Sequence, residues 1–140
     1  MTSLYFFALM AMNVMAPNRD HEPLARALAT VAETEEPLFR NDESRIKTLS
    51  LLLSVAFRES SFRNDAIGDH GQSYCAFQLH RSSGGSRALL DDPEACTRTA
   101  FAMLRESIRV DRENPVAHFA RGPRYRSEEA RRLSRDRMWL

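Results

Sequence analysis

The run from residue 46 to residue 57 constrains this chain most. Ile46, Leu49, Leu53, Ala56 and Phe57 fall at helical spacing, and Leu51, Leu52 and Val55 widen the stripe. A helix apolar nearly all round must be buried, so the spacing predicts a central helix here. Asn41 or Asp42 can cap its start, with acidic residues in the first turn. One carboxylate, Glu59, stands at its C-terminal end between Phe57 and Phe62. A carboxyl group partly buried among aromatic rings is desolvated, which raises its pKa. A raised pKa is what keeps a general acid protonated near neutral pH.

The rest of the sequence frames that helix. Residues 63–74 carry Asn, Asp, Gly and Ser at the density of a turn or a short irregular hairpin, so a small β element is expected at residues 65–75. Residues 74–79 are apolar enough for a short buried helix. Residues 81–86 read as a surface loop. Asp92, Pro93 and Glu94 form a helix start: a cap, a proline at the first helical position, and an acid in the first turn. That helix keeps its period to about Val110. Two further helices are expected, one from Asn114 to Phe119 and a last one from Ser127 to Trp139.

Upstream, residues 22–33 predict a helix with Leu24, Leu28 and Val31 on its apolar side. Residues 4–16 are mostly apolar but too few to span a bilayer. They suit either a signal-like segment, with small residues around Val14 and Ala16, or a first helix packed on the domain. The expected organisation is this segment at residues 1–16 and one domain at residues 20–140, which fits a length of 140 residues.

Charge narrows the partners. The net charge is +1, so no global field draws the chain to nucleic acid or to a membrane. The last expected helix carries Arg131, Arg132, Arg135 and Arg137, which is either a solvated face or a surface for an anionic polymer. There are two cysteines, Cys75 and Cys96, with no CxxC and no Cys/His cluster, so no metal site is expected. They can be two packed thiols or one disulfide.

The stretch after Glu59 adds a resemblance. Glu59-Ser60-Ser61-Phe62 is followed by Ala66-Ile67, by Gly68-Asp69-His70-Gly71-Gln72-Ser73, and by Tyr74 with Cys75-Ala76-Phe77-Gln78. This series resembles the catalytic core of lytic transglycosylases and goose-type lysozymes over roughly residues 43–123. The resemblance implies a mainly α, lysozyme-like domain with at most a small β element. It implies that Glu59 is the catalytic general acid and base. Asp69 would match an aspartate that positions a water, and Gln78 a glutamine lining the sugar cleft. Ser73 and Tyr74 would lie where the substrate approaches. Phe119, in His118-Phe119-Ala120-Arg121-Gly122-Pro123, matches a family tyrosine that faces the glutamate. The chain departs from the family there: Phe119 lacks the hydroxyl, Ala120 replaces an asparagine, Cys75 replaces a glycine, and His80 stands where a second aspartate can occur.

The activity implied is cleavage of the β-1,4 bond between N-acetylmuramic acid and N-acetylglucosamine in peptidoglycan, with 1,6-anhydro ends as product. Two alternatives stay open: a hydrolytic lysozyme of the same fold, and a catalytically weak peptidoglycan-binding relative. No cofactor is expected. The partner expected is the peptidoglycan glycan strand, met by a monomer without stable membrane insertion, in the periplasm or outside the cell. A Cys75–Cys96 bridge suits that oxidising compartment and would tie the cleft floor to the helix that follows.

Overall fold

The computed structural model describes residues 2–40 and 42–110. Four α-helices and a small antiparallel sheet make up this part: α1 (Ser3–Met15), α2 (Glu22–Thr34), α3 (Ser44–Ser60), β1 (Ile67–Gly68), β2 (Ser73–Tyr74), β3 (Leu79–His80) and α4 (Pro93–Val110). The mainly α class with a small β element is therefore observed. The expected helices beyond Val110, and Phe119 with them, lie outside the described residues.

The hub differs from the expectation. α3 is deeply buried, with Leu49, Leu52, Val55 and Ala56 fully inaccessible, but Ile46 and Phe57 reach the surface. α2 is the element that packs on α1, α3 and α4 alike. Its Leu24, Leu28 and Val31 are buried as their spacing predicts, and so are Ala25, Ala27, Ala29 and Ala32. Alanine on the remaining faces lets three neighbouring backbones approach one helix. A stripe of large residues marks one buried face and gives no sign of the others.

α1 packs on α2 and α3 through Leu4, Tyr5, Ala8 and Met12, all buried in the common core. Its outer face leaves Phe6, Met10 and Val14 exposed. None of the helices described here is long and apolar enough to cross a membrane. α4 starts as its sequence predicts: the Asp92 carboxylate accepts the backbone N–H of Ala95 at 3.0 Å, ahead of Pro93 at the first helical position.

Two expectations are corrected. α3 begins after Glu43, with no side chain capping it and no acid in its first turn. Packing of its apolar face replaces the missing cap, as helix stability in proteins rests mostly on tertiary burial. Residues 74–79 are not a helix. They form the turn of a hairpin between β2 and β3, with Tyr74 opposite Leu79 and Ser73 opposite His80. Cys75 and Gln78 both hold positive φ, at 65° and 49°, which no right-handed helix accommodates. β1 pairs on the other edge of β2 within the expected residues 65–75, and β3 extends the β element beyond them by one strand.

Candidate active site around Glu59

The last turn of α3 carries Glu59 to the edge of the small sheet. The helix ends in the backbone of Ser61 and Phe62, both left-handed, with φ of 55° and 66°. Such conformations are costly for residues with a side chain and persist only where surroundings hold them. Ser60 supplies one hold. Its hydroxyl donates to the Ala76 carbonyl at 2.7 Å across the hairpin and accepts the Arg63 N–H at 3.0 Å. Asn64 supplies another. Its amide donates to the Leu89 and Leu90 carbonyls, and its side-chain oxygen accepts the Ala76 N–H.

Glu59 itself is half-buried. Burial pushes its pKa above the usual carboxylate value; the Arg58 guanidinium pulls the other way, and the Asp69 carboxylate adds to the rise. Desolvation is the largest of the three influences, so the net direction is upward. Phe57 and Phe62 flank the turn with ring centroids 5.4 Å apart, and Phe62 is buried.

Four of the residues picked from the sequence lie in the small sheet or its turns, and among them Asp69 is the one whose charge acts on this carboxyl. Asp69 sits in a 3-10 turn between β1 and β2, and accepts the Ser73 hydroxyl at 2.5 Å. Ser73 is only 1% exposed, so its hydroxyl fixes the Asp69 carboxylate rather than facing solvent. The buried Tyr74 hydroxyl donates to the Gly71 carbonyl at 2.6 Å and accepts from the Arg81 guanidinium at 3.0 Å. Gln78 donates its amide to the carbonyls of Ala66 and Cys75, at 3.1 and 3.0 Å. Its Oε1 lies where a side chain at position 68 would start, so any side chain there would have to displace the end of Gln78. Phe119 lies outside the described residues.

The sheet is held from behind by the Cys75–Cys96 disulfide, which joins the hairpin turn to α4 across 21 positions. Gly85 closes the far end: a Cβ there would overlap the Leu79 carbonyl, and its N–H donates to the His80 carbonyl at 3.0 Å.

The sequence series includes Ser60 but gives it no role of its own, and it does not point to Asn64 or Arg58 as parts of this site. Asn64 reads as an ordinary turn residue. The bonds of Ser60 to Ala76 and of Asn64 to Ala76, Leu89 and Leu90 join groups distant in the chain, and no local pattern signals those. Among the described residues, no group of three or more His, Cys, Asp or Glu side chains is arranged to hold a metal ion.

Chemically, the arrangement offers one carboxyl group whose pKa is raised by burial, and a second carboxylate, held by the Ser73 hydroxyl, whose charge adds to that rise. Comparison with known protein families, with curated proteins and with solved structures finds no match for this chain.

Proposed function

We propose that this chain is a peptidoglycan lytic transglycosylase in which Glu59 serves as both general acid and general base. The observation that carries the reading is a desolvated glutamate, its pKa raised, at the end of a buried helix and beside a small sheet. The residue series from Glu59 to Gln78, similar to the catalytic core of that superfamily, supplies the substrate class. In its protonated form Glu59 gives a proton to the glycosidic oxygen, and the bond to the N-acetylmuramic acid C1 breaks. The resulting carboxylate then takes the proton of the C6 hydroxyl of that sugar. The C6 oxygen attacks C1 and closes a 1,6-anhydro ring. One carboxyl group is enough for this sequence, because the nucleophile belongs to the substrate. The disulfide suits an oxidising compartment, which agrees with a periplasmic or extracellular site of action.

One observation favours a second reading. The Asp69 carboxylate is close enough to raise the pKa of Glu59. A paired carboxylate is what a hydrolytic glycosidase uses to activate water. A lysozyme on the same platform would use Asp69 in that role.

Mass spectrometry of soluble products from purified peptidoglycan separates these readings. The expected outcome is anhydro-muropeptides from the wild type and none from Glu59→Gln. Reducing-end muropeptides would replace the transglycosylase by the lysozyme. Absence of products from the wild type would overturn both and leave a glycan-binding protein.

A further inference from the structure

The linker between α1 and α2, residues 16–21, reaches the turn that ends α3, far away in sequence. Arg19 donates from its guanidinium to the Ser61 carbonyl. His21 is 2% exposed, donates from Nε2 to the Ala16 carbonyl at 2.5 Å, and sets its ring edge-on to Phe62 with centroids 5.7 Å apart. Phe62 in turn packs at a tilt against Phe57 of α3, with ring planes 49° apart. Ala16 is the residue that closes α1, its N–H donating to the Met12 carbonyl. The contacts therefore run from the end of α1 through His21 and Phe62 to the helix that bears Glu59.

Elsewhere this junction is open. A groove of about 400 Å³ lies between the linker and residues 62–65, bordered by Arg19, His21, Phe62, Arg63 and Asn64. Two contacts that cross from linker to turn land on Ser61 and Phe62. Both residues of that turn are held in left-handed backbone. A carbonyl in a strained turn keeps its direction only while something holds it. The sheet holds the other side of the same turn through Ser60 and Ala76.

We propose that Arg19 and His21 are positioning residues for Glu59, clasping the Ser61–Phe62 turn from the α1–α2 linker so that the glutamate stays pressed into its half-buried place beside the sheet. The role in turnover rests on the transglycosylase reading; the clasp itself does not. Neither residue touches the reacting atoms. They act through the turn, as a side chain can when a displacement on the order of 1 Å at a catalytic group costs about 100-fold in rate.

The test uses the full chain with Arg19→Ala, Arg19→Lys and His21→Gln, each checked for cooperative thermal unfolding. Arg19 is only half-buried, so its variants keep the fold even where His21→Gln does not. The first readout is the Glu59 carboxyl titration followed by ¹³C NMR, which needs no substrate. In Arg19→Ala the midpoint is expected to fall toward the ordinary carboxylate value, and the Ser61 and Phe62 amides to exchange faster; Arg19→Lys restores part of both. The second readout is kinetics on soluble glycan strands, where kcat is expected to fall about 10- to 100-fold with KM within about twofold. An unchanged Glu59 midpoint together with unchanged exchange in Arg19→Ala overturns the clasp. A shifted midpoint in a protein whose wild type releases no muropeptides sustains the clasp and removes the enzymatic reading instead.

Discussion

The Ser60 hydroxyl donates to the Ala76 carbonyl at 2.7 Å, a bond between the last turn of α3 and the hairpin beyond it. It joins the residue after Glu59 to the floor of the candidate site. The helix that carries the acid and the sheet that faces it are thereby one unit. Removing that hydroxyl leaves the Ala76 carbonyl and the Arg63 N–H without this partner. Ser60→Ala should therefore destabilise the protein by about 1–2 kcal/mol. Chemical denaturation with an unchanged m value checks this, and a loss below a few tenths of a kcal/mol would mean that water replaces the bond.

The raised pKa of Glu59 has a definite sign in stability. Because the folded-state value lies above the unfolded one, folding favours the protonated form. The associated stabilisation is full below the ordinary carboxylate range and is lost as pH rises through the raised value. Glu59→Gln carries no charge at any pH. It should be more stable than the wild type at neutral pH, with the difference vanishing on acidification. Urea unfolding of both proteins across that range measures it, and a wild type that gains stability with pH relative to the variant contradicts the burial argument.

Asp69 is one of the causes of that rise, so its neutralisation should lower the Glu59 pKa. Asparagine at position 69 keeps an oxygen to accept the Ser73 hydroxyl, which spares the local fold. In Asp69→Asn the alkaline limb of the pH–rate profile for muropeptide release should move to lower pH. A limb that stays in place would show that the Asp69 charge does not reach the acid.

Gly68 and Gln78 form a pair in which each explains the other. A methyl group at position 68 meets Gln78 Oε1, so the end of that side chain must shift, and its amide bonds to the Ala66 and Cys75 carbonyls are the ones at stake. Gly68→Ala should cost about 2 kcal/mol through two displaced hydrogen bonds. Gln78→Ala frees the same space. The double variant should then be more stable than the sum of the two single losses implies, by about 1 kcal/mol. Strict additivity in this cycle argues that the pair is not in contact.

The Cys75–Cys96 bridge closes a loop of 21 positions that contains β3 and the start of α4. In the chain-entropy account, closing a loop of this size stabilises by about 3 kcal/mol. The Cys75→Ala/Cys96→Ala variant should lose about that much in denaturant titration. Reduction of the wild type should lower its Tm in parallel, whereas the double variant should not respond to reductant.

Much of the framework was legible in residue order. Leu24, Leu28 and Val31 announced α2, the run from Ile46 to Phe57 announced α3, and Asp92-Pro93 announced the start of α4. These signals are local: side chains one helical turn apart, or a carboxylate within reach of the next free N–H. The hairpin at residues 73–80 was not legible. Apolar residues at positions 74–79 suit a helix as well as a buried turn, and the choice was made by bonds from Ser60 and Asn64 and by the disulfide to Cys96.

Sequence by itself determined α2, α3 and α4, the acid at the end of α3, and the glycine-punctuated stretch that follows it in the chain, because each follows from neighbours within a few residues. Only the tertiary structure decided that α2 is the hub, that Gln78 and Ser73 turn their polar atoms inward, and that Arg19 and His21 hold the turn after Glu59. Those outcomes depend on groups brought together from distant parts of the chain. Burial and hydrogen bonding are set by what arrives from elsewhere, and no local pattern records it.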